Sequence, residues 1–359
     1  MTMRVLIMAG GTGGHVFPAL AVAEQLKKQG HEVLWLGTHA GLEAKVIPPT
    51  GIPLAFISIS GLRGKGWWSW LLAPYKLGIA FLQSLALLIK LKPSVVLGMG
   101  GFVAGPGGFS AWLLDKALVI HEQNAVAGLT NRWLAPLADK VLEAFPGSLA
   151  KKYHPVHTGN PVRAAITQLL NPEQRLSGRS GALRLLVLGG SLGAQILNET
   201  LPLALQQVRE HCAVEVWHQA GARHLEDAQG RYAAAGITAR ITPFIEDMAE
   251  AYAWADLVVC RAGALTVAEL TCAGLASILV PYPFAADDHQ TANARYLQQH
   301  GAACLLPQDT LTPATLAELL KTLGNARQRL LEMAQAARRL ARPEAAARVA
   351  ELCLEAGHA

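Results

Sequence analysis

The feature that most constrains this chain is a device it uses twice. Arg4 to Ala9 is an apolar run that breaks into GGTGGH and then a helical pattern, and Arg184 to Leu188 does the same into GGSLGA. A short apolar run, a glycine loop and an immediate helix describe a strand buried on both faces of a parallel sheet, with the helix packed back across it. Further strands follow each copy at βα spacing. They are His31–Gly37, Ser94–Leu97, Ala117–His121 and Lys140–Ala144 after the first, and Val214–His218, Ala239–Pro243, Leu257–Cys260 and Ser277–Val280 after the second. The expected fold is α/β: two doubly wound parallel-sheet, Rossmann-like domains facing across a cleft, with 1–160 in one and 161–340 in the other. Pro18 is placed near the start of its helix, where its missing N–H does no harm.

A length of 359 residues suits two domains, each with its own core. The five cysteines are scattered, without a CxxC pair or a Cys/His cluster, which fits a reducing cytosol and argues against a disulfide framework or a zinc site. Residues 1–160 carry 14 Lys/Arg against 7 Asp/Glu, or +7, while the remainder carries 17 against 19, or −2. The basic half is expected to meet an anionic partner. No basic stripe is interleaved with aromatics, so a membrane surface or a pyrophosphate substrate fits better than nucleic acid. Val95 to Leu114 is uncharged and of membrane length, yet its density of glycine and proline belongs to a loop rather than a span.

The stretch Leu257 to Gly274, LVVCRAGALTVAELTCAG, carries the sharpest chemical signal. A strand, a glycine turn and a helix beginning together leave unpaired N–H groups and a positive helix end, a site for phosphate. Glu269 lies about a turn further in, where a carboxylate can accept two hydrogen bonds from a ribose diol. An ordinary βα unit with a surface glutamate is the alternative reading. His15 ends the first glycine loop, and a helix start there favours its neutral, proton-accepting form. A histidine capping its own helix is the plainer alternative. Glu122 and Asn124 of HEQN close another strand on the same edge. A dinucleotide-dependent oxidoreductase is disfavoured, because Val16 stands in the third glycine position and the second strand ends Leu36-Gly37-Thr38 without a carboxylate. No P-loop is present.

Trp67 to Leu91 is unusual. Leu71, Leu72, Tyr75, Ile79, Leu82, Ala86 and Ile89 recur at helical spacing and are expected to form the buried stripe. Trp68, Trp70, Leu77, Phe81, Leu85 and Leu88 leave the other faces apolar as well, ringed by Arg63, Lys65, Lys76, Lys90 and Lys92. This describes a helix resting on an anionic membrane; a hairpin wholly buried in the first domain is the alternative.

Taken together, GGTGGHVFPALA, ISGLRGKG, GMGGFVAGPGG, HEQNAVAGLTN, GNPVR, GGSLGA, RAGALTVAE and DDHQTANA resemble, in this order, the MurG family of peptidoglycan glycosyltransferases. The resemblance implies the GT-B architecture. It also implies transfer of N-acetylglucosamine from UDP to undecaprenyl-pyrophosphoryl-muramyl pentapeptide, with inversion at the anomeric carbon. It gives 1–160 the acceptor and 161–340 the UDP-sugar; the apolar segment adds an anionic membrane surface to 1–160, and a C-terminal helix, 341–359, is expected to cross back to the first domain.

Carried over by motif, Thr12, Gly13 and Gly14 line the sugar and diphosphate region and Asn124 reaches the sugar. Arg163 and Ser191 contact the nucleotide diphosphate, Ile245 offers backbone to the uracil, and Gln290 holds sugar hydroxyls. The run Ala264, Leu265, Thr266, Val267, Ala268 and Glu269 takes diphosphate and ribose. His289 stands where some relatives carry a second glutamine. The resemblance further implies no metal and no cofactor, since N–H groups and a helix dipole can neutralise the leaving diphosphate. It implies a peripheral enzyme on the cytoplasmic face of the bacterial cell membrane, with other cell-wall and division proteins as partners. A base must take the proton of the attacking hydroxyl, and His15 is the candidate, with Glu122 second. Two other classes stay open: a UDP-sugar epimerase of the same fold and a non-catalytic membrane scaffold.

Overall fold

The computed structural model describes residues 2–59, 72–190 and 193–358. The chain divides into two compact units, Met1–Arg163 with Arg342–Ala359, and Ala164–Ala341.

The first unit is built on a seven-stranded sheet in the order β3-β2-β1-β4-β5-β6-β7. Its strands are β1 (Arg4–Met8), β2 (Glu32–Gly37), β3 (Leu54–Phe56), β4 (Val95–Gly98), β5 (Ala117–Glu122), β6 (Lys140–Glu143) and β7 (Val156–His157). Every pairing is parallel. The helices are α1 (Gly13–Lys28), α2 (Glu43–Val46), α3 (Ala73–Leu91), α4 (Ala104–Leu113), α5 (Leu129–Leu134) and, from the other end of the chain, Ala345–His358. Parallel strands covered on both faces need unbroken apolar runs, and two cores result. One packs Val5, Ile7, Val95 and Leu97 against Val16, Val22 and Leu26 of α1 and against Val349 and Cys353 of the last helix. The other packs Leu6, Met8, Val96 and Leu118 against Ala80, Leu88, Ala104 and Leu134.

The second unit has a six-stranded sheet, β10-β9-β8-β11-β12-β13. Its strands are β8 (Leu183–Leu188), β9 (Val214–Gln219), β10 (Arg240–Thr242), β11 (Leu257–Cys260), β12 (Ala276–Leu279) and β13 (Ala303–Leu305). They too are all parallel. Its helices are α6 (Ala164–Thr167), α7 (Pro172–Leu176), α8 (Gln195–Val208), α9 (Leu225–Ala234), α10 (Met248–Trp254), α11 (Ala264–Ala273), α12 (His289–Gln299), α13 (Pro313–Gly324) and α14 (Arg327–Arg339). The last helix of the first unit, Ala345–His358, is α15.

Two expectations are corrected. Pro18 lies inside α1, in its second turn, because the helix begins back at Gly13; it therefore forfeits the bond to the Gly14 carbonyl. The buried stripe of α3 is Ala73, Ala80, Ser84 and Leu88. The side chains expected inside are turned out, with Tyr75 69%, Leu82 62% and Ile89 56% exposed and Ala86 exposed too. The small Ala80 and Ser84 let α3 lie close on α4, where the Ser110 hydroxyl reaches the Phe81 carbonyl at 3.4 Å. Hydrophobicity alone picks the bulky face; close packing picks the small one. A hairpin wholly buried is excluded for α3. Trp67, Trp68, Trp70 and Leu71, like ISGLRGKG from Ser60 onward, lie outside the described residues.

Candidate active site

In a doubly wound sheet the order of strands reverses at one point, and the loops leaving the carboxyl ends there part to form a crevice. In the first unit that point lies between β1 and β4, and in the second between β8 and β11. Both glycine devices of the sequence sit at these points.

In the first unit Met8 and Gly98 are level in register, so the loops after β1 and β4 leave the sheet side by side. Gly101 has φ +79°, and a Cβ there would run into the Gly10 carbonyl. The loop after β1 is held from beneath by Glu43, a fully buried carboxylate that sequence reading does not single out. Its Oε2 accepts from Gly11 N at 2.9 Å, and its Oε1 from Thr38 N at 2.7 Å and Thr38 Oγ1 at 2.9 Å. A Cβ on Gly10, Gly37 or Gly41 would collide with the Glu43 side chain. α1 then opens at Thr12, whose backbone is extended and whose hydroxyl makes no cap bond. The N–H groups of Gly13 and Gly14 at its start are left uncapped by that side chain, which is the arrangement that binds anions.

His15 is half-buried in that first turn, and its Nδ1 stands 3.1 Å from Gln123 Oε1. Gln123 is buried at the end of β5; its Nε2 donates to Met99 O at 2.8 Å and lies 3.3 Å from His121 Nδ1. His121 Nε2 is 3.0 Å from Gly159 O. Burial lowers the His121 pKa to about 4, against the opposing pull of the Gly159 carbonyl. Glu122 is buried as well, and both its oxygens are engaged. Oε1 accepts from Asn124 N at 2.9 Å and Asn124 Nδ2 at 3.3 Å; Oε2 accepts from Gly128 N at 3.0 Å and Asn131 Nδ2 at 2.8 Å. Arg163 places its guanidinium 5.7 Å from the centre of the Phe17 ring on α1. Thr12, Gly13, Gly14, His15, Glu122 and Asn124 thus gather at the carboxyl edge of one sheet.

In the second unit β11 runs through Gly263 directly into α11, whose N-cap backbone is extended and without a side-chain cap. The turn is fixed by Asn293 of α12, whose Nδ2 donates to Ala262 O at 3.1 Å. Arg261 is pinned away from the helix start by Val280 O, Pro281 O and Gln308 Oε1 at 3.2, 3.1 and 2.8 Å. Ala264 to Glu269 fill the first turns. Glu269 is buried, and its Oε2 accepts from the Tyr252 hydroxyl of α10 at 3.0 Å. At the far end Gly274 closes α11 in a left-handed turn, and the buried Arg175 donates from Nη1 and Nη2 to the Ala273 and Gly274 carbonyls. A cation on that end complements the helix dipole whose positive end faces the crevice. Burial first, then Arg179 and Arg338, lowers Arg175 to about 10, still cationic at neutral pH.

On the β9 side of β8, Gly189 N donates to Gln219 O at 3.2 Å, and Asn198 Nδ2 holds Ala220 O at 3.1 Å. Gly193, at φ +80°, leaves room for the Ala220 carbonyl. Ser191 lies outside the described residues. Ile245 is buried. Gln290 opens α12 and accepts from Tyr282 N at 2.9 Å through Oε1, leaving its amide NH₂ as the donor side. Asp287 and Asp288, just before it, have φ of 52° and 50°.

Sequence reasoning missed Glu43, Gln123, His121 and Tyr252. Glu43 left a trace in the glycines at 37 and 41 that make room for it, and His121 and Gln123 lie inside the HEQN string.

Two parallel sheets, each with a crevice at its reversal point, make a two-domain α/β protein of the nucleotide-binding kind. Residues 5–143 match the glycosyltransferase family 28 N-terminal domain and residues 184–349 its C-terminal domain. A Marinobacter nauticus protein named UDP-N-acetylglucosamine–N-acetylmuramyl-(pentapeptide) pyrophosphoryl-undecaprenol N-acetylglucosamine transferase is 57% identical over 99% of this chain and 98% of its own. The Nitrosococcus oceani protein of the same name is 58% identical over 99% of each chain. The crystal structure of Acinetobacter baumannii MurG matches with a TM-score of 0.85 and 44% identity, covering 98% of this chain and 99% of that one. The chain belongs to the MurG family of N-acetylglucosamine transferases.

Proposed function

We infer that this chain is an inverting hexosyltransferase of the EC 2.4.1 class. It moves N-acetylglucosamine from UDP-N-acetylglucosamine to the muramyl 4-hydroxyl of undecaprenyl-pyrophosphoryl-MurNAc-pentapeptide, the lipid I to lipid II step of peptidoglycan synthesis. The observation that carries this is identity of 57–58% along essentially the whole length of relatives that bear that activity in their names. An epimerase or a scaffold would not need the acceptor. UDP release from labelled UDP-N-acetylglucosamine should therefore depend on a lipid-linked muramyl acceptor; release or epimerisation of the donor without it would overturn the reading.

The second unit supplies the donor site. The uncapped N-terminus of α11 takes the diphosphate, and Glu269, already steadied by Tyr252, takes the ribose hydroxyls. Ile245 offers backbone to the uracil, and Gln290 presents its NH₂ to the sugar. Thr12, Gly13, Gly14, Asn124, Arg163 and Ser191 complete the contacts to sugar and diphosphate. In one displacement the acceptor O4–C1 bond forms as the C1–O bond to the β-phosphate side of UDP breaks. His15 accepts the hydroxyl proton, and the charge growing on the diphosphate falls on backbone N–H groups and the helix dipole. Glu122 is the weaker candidate for the base, because both its oxygens are already engaged by four donors from Asn124, Gly128 and Asn131.

The first unit supplies the membrane face. α3 carries 19 residues of mean hydropathy 1.3, long and apolar enough to cross a membrane, with only 17% of the window buried. Phe109, Trp112 and Leu113 of α4 and Leu129 and Trp133 of α5 continue the exposed apolar surface, with Lys76, Lys90 and Lys92 on α3 and at its end. Aromatic residues with a basic rim suit an anionic bilayer, and a polyprenyl acceptor requires the enzyme to come to it. On this reading the protein works peripherally on the cytoplasmic face of the cell membrane. It should float with anionic liposomes at low salt, and Lys65→Glu with Lys76→Glu, or Phe81→Ser, should weaken this. Failure of the unaltered protein to float would remove the membrane role.

A further inference from the structure

Behind His15 runs a line of polar groups that ends on two backbone carbonyls. Gln123 Nε2 lies 2.8 Å from Met99 O and 3.3 Å from His121 O. Amide oxygen and nitrogen are told apart by their partners, and turning this amide over would set its oxygen against two carbonyl oxygens. The nitrogen is therefore where it stands, and Oε1 is the atom that meets His15 Nδ1 at 3.1 Å. A carbonyl oxygen only accepts, so the hydrogen in this contact belongs to His15 Nδ1. The same logic runs on through His121. Its Nδ1 faces the Gln123 NH₂ at 3.3 Å, and its Nε2 faces Gly159 O at 3.0 Å, which again only accepts. His121 is thus neutral with hydrogen on Nε2, as its full burial also demands. Room for the pair is kept by Gly100: at φ +86°, a Cβ there would stand 2.8 Å from His15 Nδ1 and 3.2 Å from Gln123 Oε1. Asn160 Nδ2, donating to Gln123 O at 2.9 Å, fixes the backbone beneath.

We propose that Gln123 is a positioning residue for the transfer: with Met99 O and His121 as its own anchors, it holds His15 in the form protonated at Nδ1, which makes Nε2 the nitrogen that takes the acceptor's proton. Neutral imidazole in water favours the opposite form, with hydrogen on Nε2 and Nδ1 basic. An undirected His15 would thus spend most of its time with its basic nitrogen on the wrong side of the ring. This is the task the carboxylate performs for the histidine of a serine protease, done here by an uncharged amide.

The inference rests on His15 being the base, but the tautomer is read in the resting enzyme. Nitrogen-15 spectra of histidine-labelled protein near neutral pH should show His15 with a protonated Nδ1 and an unprotonated Nε2, and His121 the reverse. Gln123→Met, which keeps the volume and removes the side-chain hydrogen bonds, should return His15 to the form protonated at Nε2. It should lower kcat by about ten- to a hundredfold, the usual effect of losing an orienting partner, with KM for UDP-N-acetylglucosamine within about twofold. A wild-type His15 protonated at Nε2 overturns the proposal, as does Gln123→Met with an unchanged kcat. If the variant does not fold, the wild-type spectrum alone decides. Should His15→Ala prove active while the tautomer is as stated, the reading of the base falls and the assignment of the Gln123 contact stands.

Discussion

The two reversal points are the same piece of topology put to different chemical ends. In the first unit the crevice is surrounded by groups that titrate or accept: His15, Glu122, the buried Glu43 beneath the loop, and His121 behind. In the second unit the N–H groups of α11 face the crevice, Arg175 is bound at the helix's other end, and Glu269 is the acid among its first turns. One βα device can therefore hold a proton acceptor or an anion, depending on what is placed under and behind its loop. Position in the fold tells where a site is, and the shell of side chains around the loop tells what it does.

The comparison is sharpened most by His15→Ala. Turnover should fall by about 10²- to 10⁴-fold, the range for general-base help, while UDP affinity by calorimetry stays within about twofold. Turnover within a few-fold of wild type would make His15 a helix cap. Next comes Glu43→Ala, which strands Gly11 N and Thr38 N without an acceptor. Hydrogen bonds to a charged group are worth about 1.5–3 kcal/mol each, and Gly11 and Thr38 keep access to water, so unfolding of the first unit should lose about 2–4 kcal/mol, while the second unit's transition and UDP binding are unmoved. A loss shared equally by both units would show that the carboxylate is not local to the loop.

A third test uses pH. His121 has a folded pKa of about 4 and His218, buried in the second unit, about 3, both pushed down chiefly by burial. The sign follows from proton counting: between these values and the unfolded value near 6.5 the unfolded chain binds more protons, so stability falls as pH falls. For His121 the loss approaches about 3 kcal/mol by pH 4. Replacing His121 with Asn should flatten the acid limb of the first unit alone. The smallest effect is at the donor site, where Glu269→Ala should weaken UDP by about 1.5–3 kcal/mol, the scale for hydrogen bonds to a charged group. Binding of 2′-deoxy-UDP should lose much less on the same change, and equal losses would remove Glu269 from the ribose.

The long strands were legible because a strand covered on both faces must be continuously apolar, and Leu257–Cys260 with Ala264–Ala273 was read to the residue. The two-residue β7 and three-residue β13 carry too little pattern to be seen. α3 was misread since periodicity in bulk gives no sign of which face a neighbour can approach closely. Glu43 and Gln123 were hidden for a different reason. Each is a polar residue in a polar neighbourhood of the chain, and its partners, Gly11 and Thr38 for one and His15 for the other, meet it only once the sheet has formed.

The first unit is made from two separated pieces of chain, with all of Ala164–Ala341 between them. Its sheet needs Val349, Leu352 and Cys353 of α15 to cover the face shared with α1. On the ribosome, that sheet must wait with part of this face uncovered while the second unit is translated. The second unit, continuous in sequence, can close as soon as it emerges, before the part that precedes it. Loop closure over so long a span is slow, and an uncovered apolar sheet is the species most prone to associate. In this molecule the half that leaves the ribosome first is the half completed last.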